Sequence, residues 1–423
     1  MSDVTTLKRP GVKRFIGLDW NYGALQHASP NYWRWVALLA AFVVVGVAAW
    51  ALILTQGGSV LAMRDSAPWG LWFTDYIYFV GLSAGGLVVY SSVHLFGAKQ
   101  FAPLSRLAVL QAAVLVMLAL LSIVTDMERP WRAIGFLTSP NFTSPFIYTG
   151  SAANIYMVLA FADLYVLISG KGGHKLAHTM TLIALPAAVY LHTTTAFVLS
   201  LNKSRELWNT AMMVPIFLTS ATASGIALLV CFAFVMQKTT KMKFKASMFE
   251  SLCSLLAVVI IIDLFFLVIE IITTFWPTSA KPGHAVRLEE FITGRYAWSF
   301  LPVFIIGTIV VVLFLKSSTR RIPWIQVTAS AAYVVAIFFK RYALMAMGFS
   351  INPLGQHAPM YFPSLVEVFL ALGLLAFGLL FITVVVKVLP MEVPEDDHEE
   401  ESADGVAAVS GTSEPVLETG VTS

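Results

Sequence analysis

The chain has 423 residues, 58% of them hydrophobic and only 12% charged, with a formal net charge of +3. That balance excludes an ordinary soluble domain. The small basic excess is accounted for by membrane topology and implies no nucleic-acid partner.

Residues 1–32 are polar and aromatic and lead into an apolar run already long enough to span a bilayer. No cleavable signal is expected there, and the segment should stay as a cytoplasmic N-terminal extension. Apolar runs then begin near Trp33, Trp69, Leu104, Ser144, Lys175, Asn209, Met248, Tyr296, Pro323 and Phe362. Each is roughly 20 to 28 residues long, which suits helices crossing about 30 Å of hydrocarbon. Barrel strands would be about ten residues long and alternating. The reading is an all-α integral membrane protein with ten transmembrane helices over residues 33–389. When the loops are assigned to alternate sides, seventeen of the 27 Lys and Arg residues fall on one side and eight on the other, with Lys340 and Arg341 inside the ninth span. Both termini are therefore expected in the cytoplasm.

Trp69 is followed fourteen residues later by SAGGL (83–87), and Trp208 fourteen residues later by TASGI (222–226). Asp126 would then correspond to Asp263. Such a parallel repeat divides the membrane domain into two four-helix bundles, spans 2–5 (about 69–200) and spans 6–9 (about 209–348), flanked by spans 1 and 10. Packing of small residues alone would also produce the Ser-Ala-Gly similarity.

Cys231 and Cys253 are the only cysteines. Two thiols cannot hold an iron-sulfur cluster, which typically takes four. They read as small core residues. Loops 57–68, 127–143, 202–208, 277–295 and 349–361 on the expected outer side carry Trp, Pro, Asn and paired charges. These loops can dock another protein or simply cap the helix ends. Residues 390–423 are acidic and poor in large apolar side chains, the composition of a disordered cytoplasmic tail.

Acids and bases inside apolar spans are costly and mark proton, ion or ligand paths. Asp75 lies inside the second span with no base near it in sequence, and it is the first choice for a proton acceptor. Tyr76, Tyr78, Asp126, Arg129, Arg132 and Tyr148 fall at a similar outer level. Carboxylates, guanidinium groups and phenols beside an apolar bundle suit a quinone head, whose carbonyls need donors and whose redox change needs proton exchange. The plain structural alternative pairs Asp126 with Arg129 or Arg132. Deeper, His94 and Asp163 could continue a proton path from Asp75, bridged by Ser83, Ser91, Ser92, Asn154 and Tyr156; His94 capping its helix is the alternative. A second set, Asp263, Glu270, Lys340, Arg341 and Glu367, reads as structural ion pairing, or else as a second ion route. One bis-histidine haem on His94 and His178 is compatible with their positions, whereas His192 has no partner histidine at its level. No metal site is expected.

The stretches PWGLWFTDYIYFVGLSAGGLVVY (68–90) and TDMERPWRAIGFLTSPNFTSP (125–145) resemble the NrfD/PsrC family of membrane quinone-interacting subunits. The length and NPLGQHAPMYFPSLVE (352–367) resemble its ten-helix branch, with the HybB-type hydrogenase subunit, DsrP, QrcD and the NrfD-like subunits of alternative complex III. The matching positions are Trp69, Gly70, Asp75, Gly81, Ser83, Gly85, Asp126, Arg129, Pro130, Arg132, Ser144 and Pro145. The resemblance implies a subunit without bound metal or covalent cofactor that binds menaquinone near the outer face. Its implied partners are a periplasmic iron-sulfur protein with molybdopterin-type or multihaem cytochrome c subunits. A secondary transporter with parallel repeats and a purely structural membrane anchor are the alternatives.

Overall fold

The computed structural model describes residues 12–15, 18–170, 173–205, 207–240, 242–276, 292–350 and 358–391. The acidic tail and most of loops 277–295 and 349–361 lie outside the described residues.

A β-hairpin pairs β1 (Val12–Phe15) with β2 (Leu18–Asn21) antiparallel, an addition to the all-helical expectation. Among the described residues ten long helices follow: α1 (Pro30–Gln56), α2 (Leu71–Phe96), α3 (Ser105–Asp126), α4 (Pro145–Ser169), α5 (Gly173–Ser200), α6 (Met213–Thr239), α7 (Ala246–Phe275), α8 (Ala297–Leu315), α9 (Pro323–Phe349) and α10 (Leu365–Val388). All ten are long and apolar enough to cross a membrane, so the chain is an all-α integral membrane protein.

Local sequence sets the helix ends. Ser29 accepts from the Tyr32 amide ahead of Pro30, and Ser144 accepts from the Phe146 amide ahead of Pro145. Proline is well placed in a first turn because its missing N–H has no partner there anyway. Gly97 and Gly170 close α2 and α4 at φ values of 67° and 61°, a backbone conformation that a Cβ would strain. At α10 the Ser364 hydroxyl and the Glu367 carboxylate cap each other's backbone amides reciprocally.

The face from which the N-terminal hairpin and the end of α10 emerge is here the terminal face; the opposite one, where α2 begins, is the distal face. Helix α2 packs on α3 and α5, and α4 packs on the same two. Helix α6 packs on α7 and α9, α8 on the same two, and α2 crosses α6 between the groups. At this crossing a Cβ on Gly85 or Gly225 would overlap the backbone of the other helix, so SAGGL and TASGI meet directly. Lipid tails are as apolar as leucine, so close backbone approach of this kind is what helix association in a membrane requires. The buried Gln111 amide of α3 donates to Leu82 O at 3.1 Å and Gly225 O at 2.9 Å, tying three helices at the seam. Helix α10 packs along α1, where a Cβ on Gly46 would lie 2.7 Å from Gly373 Cα, and also on α3.

The correspondence of Asp126 with Asp263 does not survive in depth. Asp126 is the last residue of α3, whereas Asp263 lies twelve residues before the end of α7, about 18 Å along the axis. The matched residues before it lie on other helices, and α7 is longer than α3.

Candidate functional site

Asp75 is the fifth residue of α2, just inside the distal end, and is only 5% exposed. It makes no hydrogen bond or ion pair among the described residues, and the charge acting on it is that of another acid, Glu367. Its neighbour in sequence starts an ordered relay. Tyr76 Oη lies 2.9 Å from Thr149 Oγ1, which lies 2.9 Å from Thr195 Oγ1, and Thr195 donates to Leu191 O at 2.8 Å. That last bond uses the single Thr195 proton. Thr149 must therefore donate to Thr195 and Tyr76 to Thr149, which gives the chain one direction across α2, α4 and α5.

The other residues expected at this level are spread apart. Tyr78 turns to α9, donating to Val334 O at 3.2 Å. Asp126 is half-buried and forms no ion pair with Arg129 or Arg132, both of which are exposed, so the plain pairing is not formed. Tyr148 is 44% exposed and donates to Phe142 O at 2.9 Å. Arg129, Arg132 and Tyr148 thus belong to an exposed distal rim with Trp131 and Phe142, whereas Asp75 is buried.

Glu367 belongs to this end of the molecule and not with Lys340 and Arg341. One carboxylate oxygen accepts from the Ala62 amide at 3.1 Å and the Ser364 amide at 2.7 Å, and the other accepts from Tyr361 Oη at 2.7 Å. Tyr361 Oη in turn accepts from the Leu71 amide at 2.7 Å, so a first-turn amide of α2 is held from α10. Burial, and then the adjacent carboxylate, push the Tyr361 phenol above its ordinary range, which keeps it a donor. A Cβ on Gly70 would lie 2.5 Å from Glu367 Oε1, so the resemblance-matched Gly70 makes room for this clamp. Grouping by depth fails here for a simple reason: α10 packs on α1, α3 and α2, a choice of neighbours that depth in the sequence does not reveal.

Toward the terminal face, Asp163 is fully buried and neither carboxylate oxygen has a hydrogen-bond partner. Its charge reaches Tyr90 and Tyr156, whose hydroxyls also lack a bond within range, with Thr181 and Ser83 beside them. Apolar surroundings make such groups expensive, and buried polar space of this kind is where water is normally held. His94 packs edge-on against Tyr90 at 4.7 Å, and its carbonyl lies 3.0 Å from His178 Nδ1. From Asp75 to His94 is nineteen residues, about 28 Å of helix.

His192, which has no histidine partner at its level, still proves to be a tied interior group. It is buried on α5, with Nδ1 2.7 Å from Ala188 O and Nε2 2.9 Å from Val80 O. A neutral imidazole can donate to only one of these carbonyls. Only α5 packing on α2 brings Val80 O to it, and no local signal foretells that.

Among helices α6–α9, the expected ion pairing is half right. Lys340 Nζ lies 2.9 and 3.0 Å from the two Asp263 oxygens, which also take Thr219 and Tyr333. Glu270 accepts from Thr210 at 3.0 Å, and Arg341 has no carboxylate partner among the described residues. Cys231 and Cys253 are both free thiols, and the described residues hold no cluster of three metal-ligating side chains.

Ten apolar helices with unpaired protonatable side chains buried along α2 and α4 define a polytopic membrane protein whose interior is suited to handling protons or a polar ligand head. The chain belongs to the NrfD family: the model described as "Polysulphide reductase, NrfD" matches residues 59–352. It is 26% identical to a putative dimethyl sulfoxide reductase membrane subunit of Halobacterium salinarum, across 92% of this chain and 95% of that protein. It is also 26% identical to the Hdr-like menaquinol oxidoreductase integral membrane subunit of Archaeoglobus fulgidus, across 88% and 96%. Identity to a selenate reductase subunit of Mesobacillus selenatarsenatis is 25%, across 84% and 93%. These relatives are subunits of reductase or oxidoreductase complexes.

Proposed function

We propose that the chain is the quinone-reactive membrane subunit of a respiratory oxidoreductase, exchanging electrons between a partner at the distal face and menaquinone. The observation that carries this reading is Asp75, a buried carboxylate with no hydrogen bond, one turn inside the distal end of α2 and next to the Tyr76–Thr149–Thr195 relay. A quinone needs both a proton-exchanging group and a place out of water, and this position offers both. The relative described as a menaquinol oxidoreductase subunit supports the choice of menaquinone.

In this reading protons pass between Asp75 and the terminal face through helices α2–α5. His192, Tyr156, Asp163, Tyr90 and His94 are the groups along the way. The closed packing circuits α2–α5 and α6–α9 support a division into two four-helix bundles. The exposed rim of Arg129, Trp131, Arg132, Phe142 and Tyr148 is where an iron-sulfur partner, carried with molybdopterin-type or multihaem cytochrome c subunits, would dock. The distal face is then periplasmic, with both termini cytoplasmic in a bacterial inner membrane.

The test is quinone binding, read by fluorescence quenching of a quinone analogue, together with quinone-linked turnover of the purified complex. Asp75→Asn should keep binding while turnover falls by roughly 10² or more, the size of a general acid-base contribution. Arg132→Ala, at the rim, should bind the analogue like wild type and lose affinity for the partner. Wild-type turnover in Asp75→Asn would remove Asp75 from the chemistry and favour a structural role for this carboxylate.

A further inference from the structure

Arg341 of α9 is fully buried, yet its Nε and Nη1 have no hydrogen-bond partner. Nη2 donates to Ser220 Oγ at 2.7 Å, and the guanidinium stacks on the Phe217 ring at 4.1 Å. Neither contact supplies negative charge. The Asp263 carboxylate is already occupied by Lys340, Thr219 and Tyr333, and the Glu270 carboxylate accepts from Thr210, so Arg341 has no carboxylate in contact among the described residues. A buried charge without a counter-charge is among the least favourable arrangements in a protein interior.

Beside Arg341 lies a cavity of about 60 Å³ between α6, α7, α8 and α9. Its walls are mostly leucine, isoleucine, methionine and phenylalanine, and its polar lining is Arg341, Lys340, Thr210, Thr274 and Glu270. At roughly 10–15 Å³ for each water, the space admits four to six waters or a small anion with fewer. Water alone would satisfy the open donors but bring no counter-charge.

From this geometry we infer that the cavity is a binding site for a small monovalent anion, held by Arg341 and separate from the Asp75 site. The shared chemistry is a compact negative charge, whether an inorganic halide or the carboxylate of a small acid. Glu270, toward the distal end of α7 in the same lining, opposes entry and sets the affinity low.

The site can be read without quinone or turnover, so its failure is independent of the functional reading. Trp208 donates to Leu344 O, and Leu344 and the adjacent Leu207 both line the cavity, which places an indole as reporter. Purified full-length protein in neutral detergent and chloride-free gluconate buffer is titrated with bromide and with formate at constant ionic strength. Tryptophan emission and the thermal midpoint are followed. Saturable responses are expected, and whichever anion binds more tightly identifies the source. Arg341→Met should weaken the apparent affinity by about tenfold or more, the value of a charge-assisted bond. Glu270→Gln should tighten it by roughly two- to fivefold. The proposal is overturned by a response that never saturates in wild type, or by Arg341→Met binding like wild type. If Arg341→Met does not fold, Glu270→Gln decides alone: unchanged affinity rejects the site.

Discussion

Trp69 and Trp208 stack face to face, with ring centroids 5.2 Å apart and planes 11° apart, although they precede different spans in the chain. Phe349 meets both rings edge-on, at 5.6 Å from Trp69 and 5.2 Å from Trp208. The two tryptophans that open the sequence similarity between spans two and six are thus packed together at the distal end of the α2–α6 seam, a few turns from the contact of Gly85 with Gly225.

Gly348 is part of that arrangement, because a Cβ there would fall on the Trp208 ring. In an exposed helix, Gly→Ala stabilises by up to about 1 kcal/mol. Here Gly348→Ala should lower the thermal midpoint in detergent, and Trp208→Ala should cost about 3–5 kcal/mol. A rise in the midpoint of Gly348→Ala would show that the stack yields easily.

The Tyr76–Thr149–Thr195 chain makes a prediction about coupling. Tyr76→Phe and Thr149→Val should each cost about 1 kcal/mol of stability, since each leaves a hydroxyl without its partner. Because both act on one chain, the double variant should cost less than the sum. Chemical denaturation of the four forms measures the difference, and strict additivity would mean that the hydroxyls act separately.

Glu367 joins α10 to residue 62, to its own cap and, through Tyr361, to the start of α2. Glu367→Gln places donors where three donors already converge and should cost roughly 1.5–3 kcal/mol. Limited proteolysis should then cut within 57–70 faster than in wild type, while the α6–α9 half keeps its protection.

Lys340 and Asp263 form a buried pair at 2.9 Å. Lys340→Met alone leaves the buried Asp263 carboxylate without its ion-pair partner and should cost about 3–5 kcal/mol, whereas Lys340→Met with Asp263→Leu should recover most of that loss. Thermal midpoints of the two variants decide it. Failure of the double variant to recover would point to a need for the charges beyond stability.

What could be read in the chain itself was set by hydropathy and local chemistry. Ten spans follow from the long apolar runs, and the helices begin within a few residues of the expected starts, because desolvating a peptide group in hydrocarbon forces hydrogen bonding within the segment. Asp75 stands out for the same reason, as a carboxylate placed where its charge is costly. The pairing of Lys340 with Asp263 was also within reach, since opposite charges at neighbouring depth in one apolar region have few other partners.

The rest depended on which faces the helices turn to one another. Glu367 sits with Tyr361 and Ala62 because glycine contacts seat α10 along α1, and Arg129 and Arg132 are exposed in the loop after α3 while Asp75 is buried. His192 reaches Val80 O only across the α2–α5 contact, and Arg341 has no carboxylate in contact while the Asp263 oxygens bond Lys340, Thr219 and Tyr333. A one-dimensional pattern specifies depth in the membrane. Rotation about each helix axis and the choice of neighbour are decided by close packing of small residues, which is known only once all the helices are in place.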